Sequence, residues 1–353
     1  MRIRQDVGLT FDDVLLVPQK TNIASRKDVD LTTRISKNIR MNIPIVSANM
    51  DTVTESKMAI AVAEAGGIGI LHRFIPMAAQ ATKVRAVKKK GLLVGAAIGI
   101  KGDYVERTRG LVKAGVDVIV LDIAHGHSIY LIKVLKELKA KYKNTDIIAG
   151  NIATYEGALE LIKAGADGIK VGIGPGSICI TRLVAGAGVP QLTAIMEAVR
   201  AAKKFDVPVI ADGGIRRSGD IVKALAAGAS SVMIGSKFAA CEESPSIKFE
   251  KEGRMYKLTR GMASAAAYKD KIKHSKGEGN GDDVKSYTAE GVEAIVPYKG
   301  PVKDSIDELM GGTRSGFSYT GAKNIEELWK KAEFIQISPH GLTESHPHDV
   351  VVT

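Results

Sequence analysis

Cysteine is scarce in this chain: 353 residues carry two, Cys179 and Cys241. Two thiols make no disulfide framework, and there is no C-x-x-C or H-E-x-x-H pattern to hold zinc. A reducing, cytoplasmic setting is the expectation. Aromatic residues make up 5% of the chain, with one tryptophan, so few rings are available for nucleic-acid bases to stack on. Long apolar runs are missing as well. None reaches the ~18 residues of a bilayer-spanning helix, and residues 1–6 hold no apolar signal core. No membrane and no secretory route are expected.

What is plentiful is charge, glycine and small aliphatic residues. The net charge is +11. The lysines are scattered, densest at Lys88-Lys89-Lys90 and between Lys269 and Lys285, and are not interleaved with aromatics. The pattern reads as a solvated surface rather than a nucleic-acid face.

Short apolar runs alternate with helix-like segments. The runs are Ile43–Val46, Gly67–Leu71, Leu92–Ile98, Val116–Leu121, Asp146–Ala149, Gly168–Val171, Val207–Ile210 and Ser231–Ile234. Helical patterns follow over residues 55–65, 77–87, 104–114, 128–142, 154–164, 193–204 and 218–227. Nearly continuous hydrophobic strands are buried on both faces, as parallel sheets require. About eight such units in a chain of this length predict a single (β/α)8 TIM barrel over residues 1–353. Polar residues gather just past most of these runs: Asn49-Met50-Asp51, His72-Arg73, Asp122 with His125 and His127, Asn151, Asp212-Gly213-Gly214 and Gly235-Ser236. Barrel enzymes place their chemistry at that end of the strands. Residues 262–300 are glycine-rich, charged and poor in apolar residues, which predicts a mobile flap over the barrel mouth. A modest helix is expected over Ile325–Lys331.

The densest signal is Gly172-Ile-Gly-Pro-Gly-Ser-Ile-Cys179-Ile-Thr181-Arg182, with Gly188-Val-Pro190-Gln191 after it. Glycines let a loop turn sharply and bring backbone N–H groups close to a ligand. The serine can hydrogen-bond a phosphate, and the cysteine is placed to attack what that phosphate anchors. Cys241 has no such context and reads as a small buried hydrophobe.

This loop resembles the active-site loop shared by IMP dehydrogenases and GMP reductases. Gly8-Leu-Thr-Phe-Asp-Asp-Val-Leu-Leu-Val-Pro18, Asn49-Met-Asp-Thr-Val53, Ala211-Asp-Gly-Gly-Ile215 and Arg260-Gly-Met262 are similar to other segments of that family. The likeness spans essentially the whole chain. The regulatory CBS insert usual in the dehydrogenase branch is absent, since Lys88-Lys-Lys90 runs directly into Gly91-Leu-Leu-Val94.

The resemblance implies a purine mononucleotide substrate, a covalent bond from Cys179 to purine carbon 2, and a nicotinamide cofactor. It also implies a homotetramer. By position, Ser177, Gly214, Gly235 and Ser236 would hold the phosphate and Asp212 the ribose. Met50, Gly213 and Gly261 would line the nucleotide, with Met262 and Ala263 meeting the base through backbone groups. Asp122, Asn151, Gly172 and Gly174 would face the cofactor. Carbonyls of Gly174, Gly176 and Cys179 would bind potassium, completed by Glu344, Ser345 and His346 of a neighbouring chain; backbone oxygens suit such a hard cation.

Two reactions remain open. Dehydrogenases of the family use an adjacent Arg-Tyr pair in the flap to activate water. Between Gly261 and Gly312 this chain has no arginine. Its nearest imitation is Lys285-Ser286-Tyr287, and lysine does not replace a guanidinium. The reductase branch uses a threonine two residues past the cysteine and a glutamate near the flap's end, positions that Thr181 and Glu290 fill. Ala48-Asn49 and Gly261-Met-Ala-Ser264 also lean that way. Asp122–Ser128 and Glu344–Val350 look more like bacterial dehydrogenases, and the flap is longer than in typical reductases. GMP reductase with NADPH is the first reading, and IMP dehydrogenase with NAD the alternative.

Overall fold

The computed structural model describes residues 3–274 and 287–350. Eight parallel strands close into a barrel. They are β1 (Ile45–Ser47), β2 (Ile68–Leu71), β3 (Val94–Ile98), β4 (Val118–Asp122), β5 (Asp146–Ile152), β6 (Gly168–Val171), β7 (Val209–Asp212) and β8 (Ser231–Ile234). Closure is made where Val232, Met233 and Ile234 pair with Ile45, Val46 and Ser47. The strand residues are almost all buried, because helices cover the outside and side chains fill the inside. This is the (β/α)8 architecture that the alternation predicts.

Helices follow the strands: α1 (Ser56–Glu64), α2 (Met77–Lys88), α3 (Tyr104–Lys113), α4 (Ile129–Lys141), α5 (Tyr155–Lys163), α6 (Gln191–Ala202) and α7 (Ser218–Ala226). Two of them start on a side-chain cap: Ser128 accepts from the Tyr130 N–H and Thr154 from the Gly157 N–H, satisfying donors the helix cannot. α6 begins directly after Pro190, two residues earlier than the sequence pattern suggests. Between α2 and β3 the chain turns tightly at Gly91, and Lys88 Nζ bonds the Leu92 carbonyl and Asp117.

The antiparallel pair Thr33–Arg34 and Arg40–Met41 covers the amino-terminal end of the barrel. Lys37 N–H donates to the Asp167 carbonyl, Thr33 to that of Ser230, and Ser36 to the Asp146 carboxylate, each just at or before a strand start. The larger cavity, lined by residues that follow β1, β6, β7 and β8, lies at the carboxyl end.

Three elements differ from the sequence reading. The segment after β8 forms a three-stranded antiparallel sheet, β9 (Lys248–Lys251), β10 (Arg254–Arg260) and β11 (Glu293–Pro297). Its hairpin turns at Glu252-Gly253, both at positive φ, as a tight two-residue loop demands. Within residues 262–300, α8 (Ala265–His274) and β11 replace part of the expected loop; residues 275–286, including Lys285, lie outside the described residues. The barrel's eighth outer helix is α9 (Val302–Thr320), which packs against α7 and α1. Its glycines hide it from a propensity reading. They serve contact instead: a Cβ at Gly312 would lie 2.1 Å from Ser218 Oγ, and one at Gly316 2.6 Å from Val222. After α9 come α10 (Ile325–Lys331), where the pattern places it, and α11 (Pro339–Glu344).

Candidate active site

The loop after β6 runs from Gly172 to Ile180 along the open end of the barrel. Gly172 has φ +149°, and a Cβ there would lie 2.0 Å from the Asp212 carbonyl oxygen. No L side chain fits. Gly172→Ala is expected to cost roughly 2–4 kcal/mol by backbone strain and overpacking, read as a lowered urea midpoint with little change in slope. Gln191 binds the two strand ends together, its Nε2 donating to the Val171 and Asp212 carbonyls at 3.0 Å each.

Cys179 is half-buried, and its Sγ lies 3.2 Å from Thr181 Oγ1. Residues far apart in sequence are locked onto this loop through their main chains. Ile180 N–H donates to the Glu290 carbonyl at 2.9 Å, Val292 N–H to that of Ile178 at 3.0 Å, and Cys179 pairs with Gly291 as an isolated antiparallel bridge. The Glu290 N–H in turn donates to the Ala263 carbonyl at 3.0 Å, and Gly261 N–H to that of Val292. Cys179, Thr181, Glu290, Gly261 and Ala263 thus form one layer. Cys241, by contrast, is fully buried, and burial pushes its thiol pKa up.

A cavity of about 550 Å³ adjoins this layer. Its wall includes Met50, Ser177, Asp212, Gly213, Gly214, Gly235 and Ser236. The hydroxyls of Ser177 and Ser236 touch, although the two residues are far apart in sequence. Met50 lies over Gly235. Cys179, Gly261, Met262 and Ala263 are not part of this wall; Cys179 follows Ile178, which is, and Gly261 packs against the Ile178 carbonyl. Arg182, Arg216, Lys237 and Lys299 add positive charge to the same wall.

The side chains expected to face a cofactor meet at the carboxyl end of the barrel, where Asp122 ends β4 and Asn151 lies near the end of β5. Asp122 accepts from Asn49 Nδ2 at 3.1 Å. Asn151 Nδ2 donates to the Gly172 carbonyl at 2.8 Å and to Asp212 at 2.9 Å. Between them stands Lys170, 2% exposed, on β6. Burial pushes up the Asp122 carboxyl, but the Lys170 ammonium outweighs it and holds the group below its ordinary range. Sequence reading missed Lys170. The one signal was a lysine in the middle of an otherwise apolar strand.

The root of segment 262–300 was also missed. Arg260 donates to Asp51 from Nε at 2.9 Å and to Asp270 on α8 at 2.8 Å. Asp51 N–H meets Met262 Sδ at 3.4 Å. Asp51, in the loop after β1, therefore fixes where the segment leaves the sheet. Tyr287 stacks on Tyr268 with centroids 3.8 Å apart and donates its hydroxyl to the Ala263 carbonyl at 3.0 Å. Burial, then the nearby Glu290 charge, pushes its phenol pKa up. Among the described residues no arginine is hydrogen-bonded to Cys179 or Thr181. Arg182 donates to the Val189 carbonyl, and Arg260 is held by its two carboxylates.

Of the expected potassium ligands, the Gly176 carbonyl accepts from Cys179 N–H at 3.1 Å and keeps a second lone pair. Within this chain, the His346 ring lies 3.4 Å from the Arg217 guanidinium.

Residues 8–348 match the model of the IMP dehydrogenase / GMP reductase domain. The chain belongs to the IMP dehydrogenase / GMP reductase family. An inosine-5'-monophosphate dehydrogenase of Nitrosopumilus maritimus strain SCM1 is 41% identical over 470 aligned positions, covering 98% of this chain and 99% of that protein. One from Cryptosporidium parvum is 46% identical over 392 positions, covering 98% and 96%. Both alignments run longer than this chain, so these family members hold segments it lacks. A crystal structure of GMP reductase from Trypanosoma brucei in complex with guanosine 5'-monophosphate superposes with a TM-score of 0.92 at 36% identity, covering 98% of each chain. The family thus accounts for a nucleotide oxidoreductase barrel with a nicotinamide cofactor.

Proposed function

We propose that this protein is a GMP reductase, converting GMP and NADPH to IMP, ammonia and NADP⁺. The carrying observation is the layer that joins the Cys179–Thr181 pair to Glu290, in a segment without arginine. Ser177, Gly214, Gly235 and Ser236 hold the phosphate, and Asp212 accepts from the ribose hydroxyls. The Gly261–Ala263 main chain meets the base. The Cys179 thiolate adds to purine carbon 2. Thr181 and Glu290 pass a proton to the amino group, which leaves as ammonia, so the carbon–sulfur bond forms as the carbon–nitrogen bond breaks. Asp122, Asn151, Gly172 and Gly174 would hold the nicotinamide cofactor, which would supply the hydride for carbon 2. Cys179 then departs with its electron pair and IMP is released.

Water would divert the intermediate toward XMP. Tyr287 is a poor base for activating it, since its proton is committed to the Ala263 carbonyl and its pKa is raised. Potassium would fit the carbonyl set of Gly174, Gly176 and Cys179 and would steady the loop by its charge, with Glu344, Ser345 and His346 of a neighbouring copy completing the site. A homotetramer acting in the cytoplasm is part of the same proposal, supported by the family likeness and by the two free thiols.

A second reading, oxidation of IMP to XMP with NAD⁺, is favoured by the names of the relatives at 41–46% identity. One spectrophotometric experiment separates the two. GMP with NADPH is expected to lose the reduced-nicotinamide absorbance. Formation of NADH from IMP and NAD⁺, with no GMP-dependent oxidation, reverses the assignment.

A further inference from the structure

Lys170 is a buried charge at the molecule's working end. It sits on β6, 2% exposed, and reaches the carboxyl ends of β4, β5 and β7. Its Nζ donates to Asp122 Oδ1 at 2.8 Å, to Asp212 Oδ2 at 2.7 Å and to Asn151 Oδ1. Three ammonium protons meet three acceptors, so the donor is fully used. Asn151 closes the ring by donating to the same Asp212 oxygen. Asp122 and Asp212 remain 23% and 21% exposed at the mouth, so each keeps surface for a ligand.

We propose that Lys170 is a positioning residue for both ligands at once: its ammonium holds the carboxylate and amide that face the cofactor and the carboxylate that faces the ribose in one fixed arrangement. The proposal rests on the reading of the site given above. Lys170 touches neither ligand. It acts by pinning the rotamers of Asp122, Asn151 and Asp212, and its charge offsets the burial of the Asp122 carboxylate. The charged groups on this cluster are Asp122, Asp212 and, acting on Asp122 from the loop after β2, Arg73.

The test compares Lys170→Met and Lys170→Arg with the wild type, using whichever nucleotide–dinucleotide pair the wild type turns over. Lys170→Met is expected to raise the KM for nucleotide and for dinucleotide together, each at least about tenfold, while iodoacetamide alkylates Cys179 at the wild-type rate. The acid limb of its kcat/KM profile is expected to move up by about one pH unit or more, because a carboxylate losing its cation binds protons more readily. Lys170→Arg, which keeps the charge, is expected to recover most of both effects. A lowered melting temperature with unchanged KM values and an unchanged pH profile overturns the proposal. If Lys170→Met does not fold, Lys170→Met/Asp122→Asn, which deletes one charge of each sign, takes its place, and an unchanged nucleotide KM there also overturns it. If the wild type turns over neither pair, calorimetric titration with GMP and IMP replaces the kinetics. At least tenfold weaker binding by the variant supports Lys170, and equal binding rejects it. A wild type that binds neither nucleotide overturns the functional reading together with this proposal.

Discussion

Turnover by the Cys179→Ala protein is expected to fall at least about 10⁴-fold, to background, because removing a covalent nucleophile forfeits the whole stepwise route. The methyl group left behind cannot bond purine carbon 2, and no other thiol stands near. Cys241 is fully buried beneath α9, where its Sγ faces Ser305 and the Lys237 carbonyl. Cys241→Ala is accordingly the control, with kcat near wild type. Nucleotide affinity in Cys179→Ala should change little, since the residues proposed to hold phosphate and ribose are Ser177, Ser236 and Asp212. A large fall in kcat with a preserved dissociation constant for GMP is the signature to measure, by stopped-flow absorbance and calorimetry. Surviving turnover above about 1% would remove covalent catalysis from the account.

Glu290→Gln should lower kcat by about 10²–10³-fold, and Thr181→Val by a similar factor, as general acid–base groups typically do. Both are proposed to act on the departing amino group, so the effects should not add: the double variant is expected to resemble the worse single one. The main chain at 290 need not suffer. It is the Glu290 carbonyl that accepts from Ile180 N–H and the Glu290 N–H that donates to Ala263, and glutamine keeps both. Melting temperature should therefore stay within a few degrees while kcat falls, and ammonia release in a single turnover should slow in parallel with kcat. If nucleotide KM rose and kcat did not, Glu290 would be a binding group and not a proton carrier.

Local signals made much of this site legible in the sequence. Most of the eight apolar runs ended in polar residues, and burial on both faces is what makes such runs apolar, so the barrel and its working end could be read together. The loop from Gly172 to Thr181 was legible for a similar reason: positive φ at Gly172 and Gly174 requires glycine, and glycine shows in the sequence. Spatial partnership was not visible. Lys170 reads as an interruption of a strand until Asp122, Asn151 and Asp212 arrive from three others. Arg260 looks like an ordinary charge at a strand end until Asp51 and Asp270 close on it. α9 was obscured because its glycines, which break helices in isolation, are needed where it presses on Ser218 and Val222. The sheet of β9, β10 and β11 was missed because its exposed strands carry charge where buried ones carry valine.

The central claim is a carbon–sulfur bond between Cys179 and the purine. It is tested most directly by mass spectrometry of protein incubated with GMP, quenched in acid and digested. The account predicts that the peptide containing Cys179 gains the mass of GMP less ammonia, and that the Cys179→Ala protein gains nothing. An unmodified Cys179 peptide from enzyme that is consuming GMP and NADPH would contradict it.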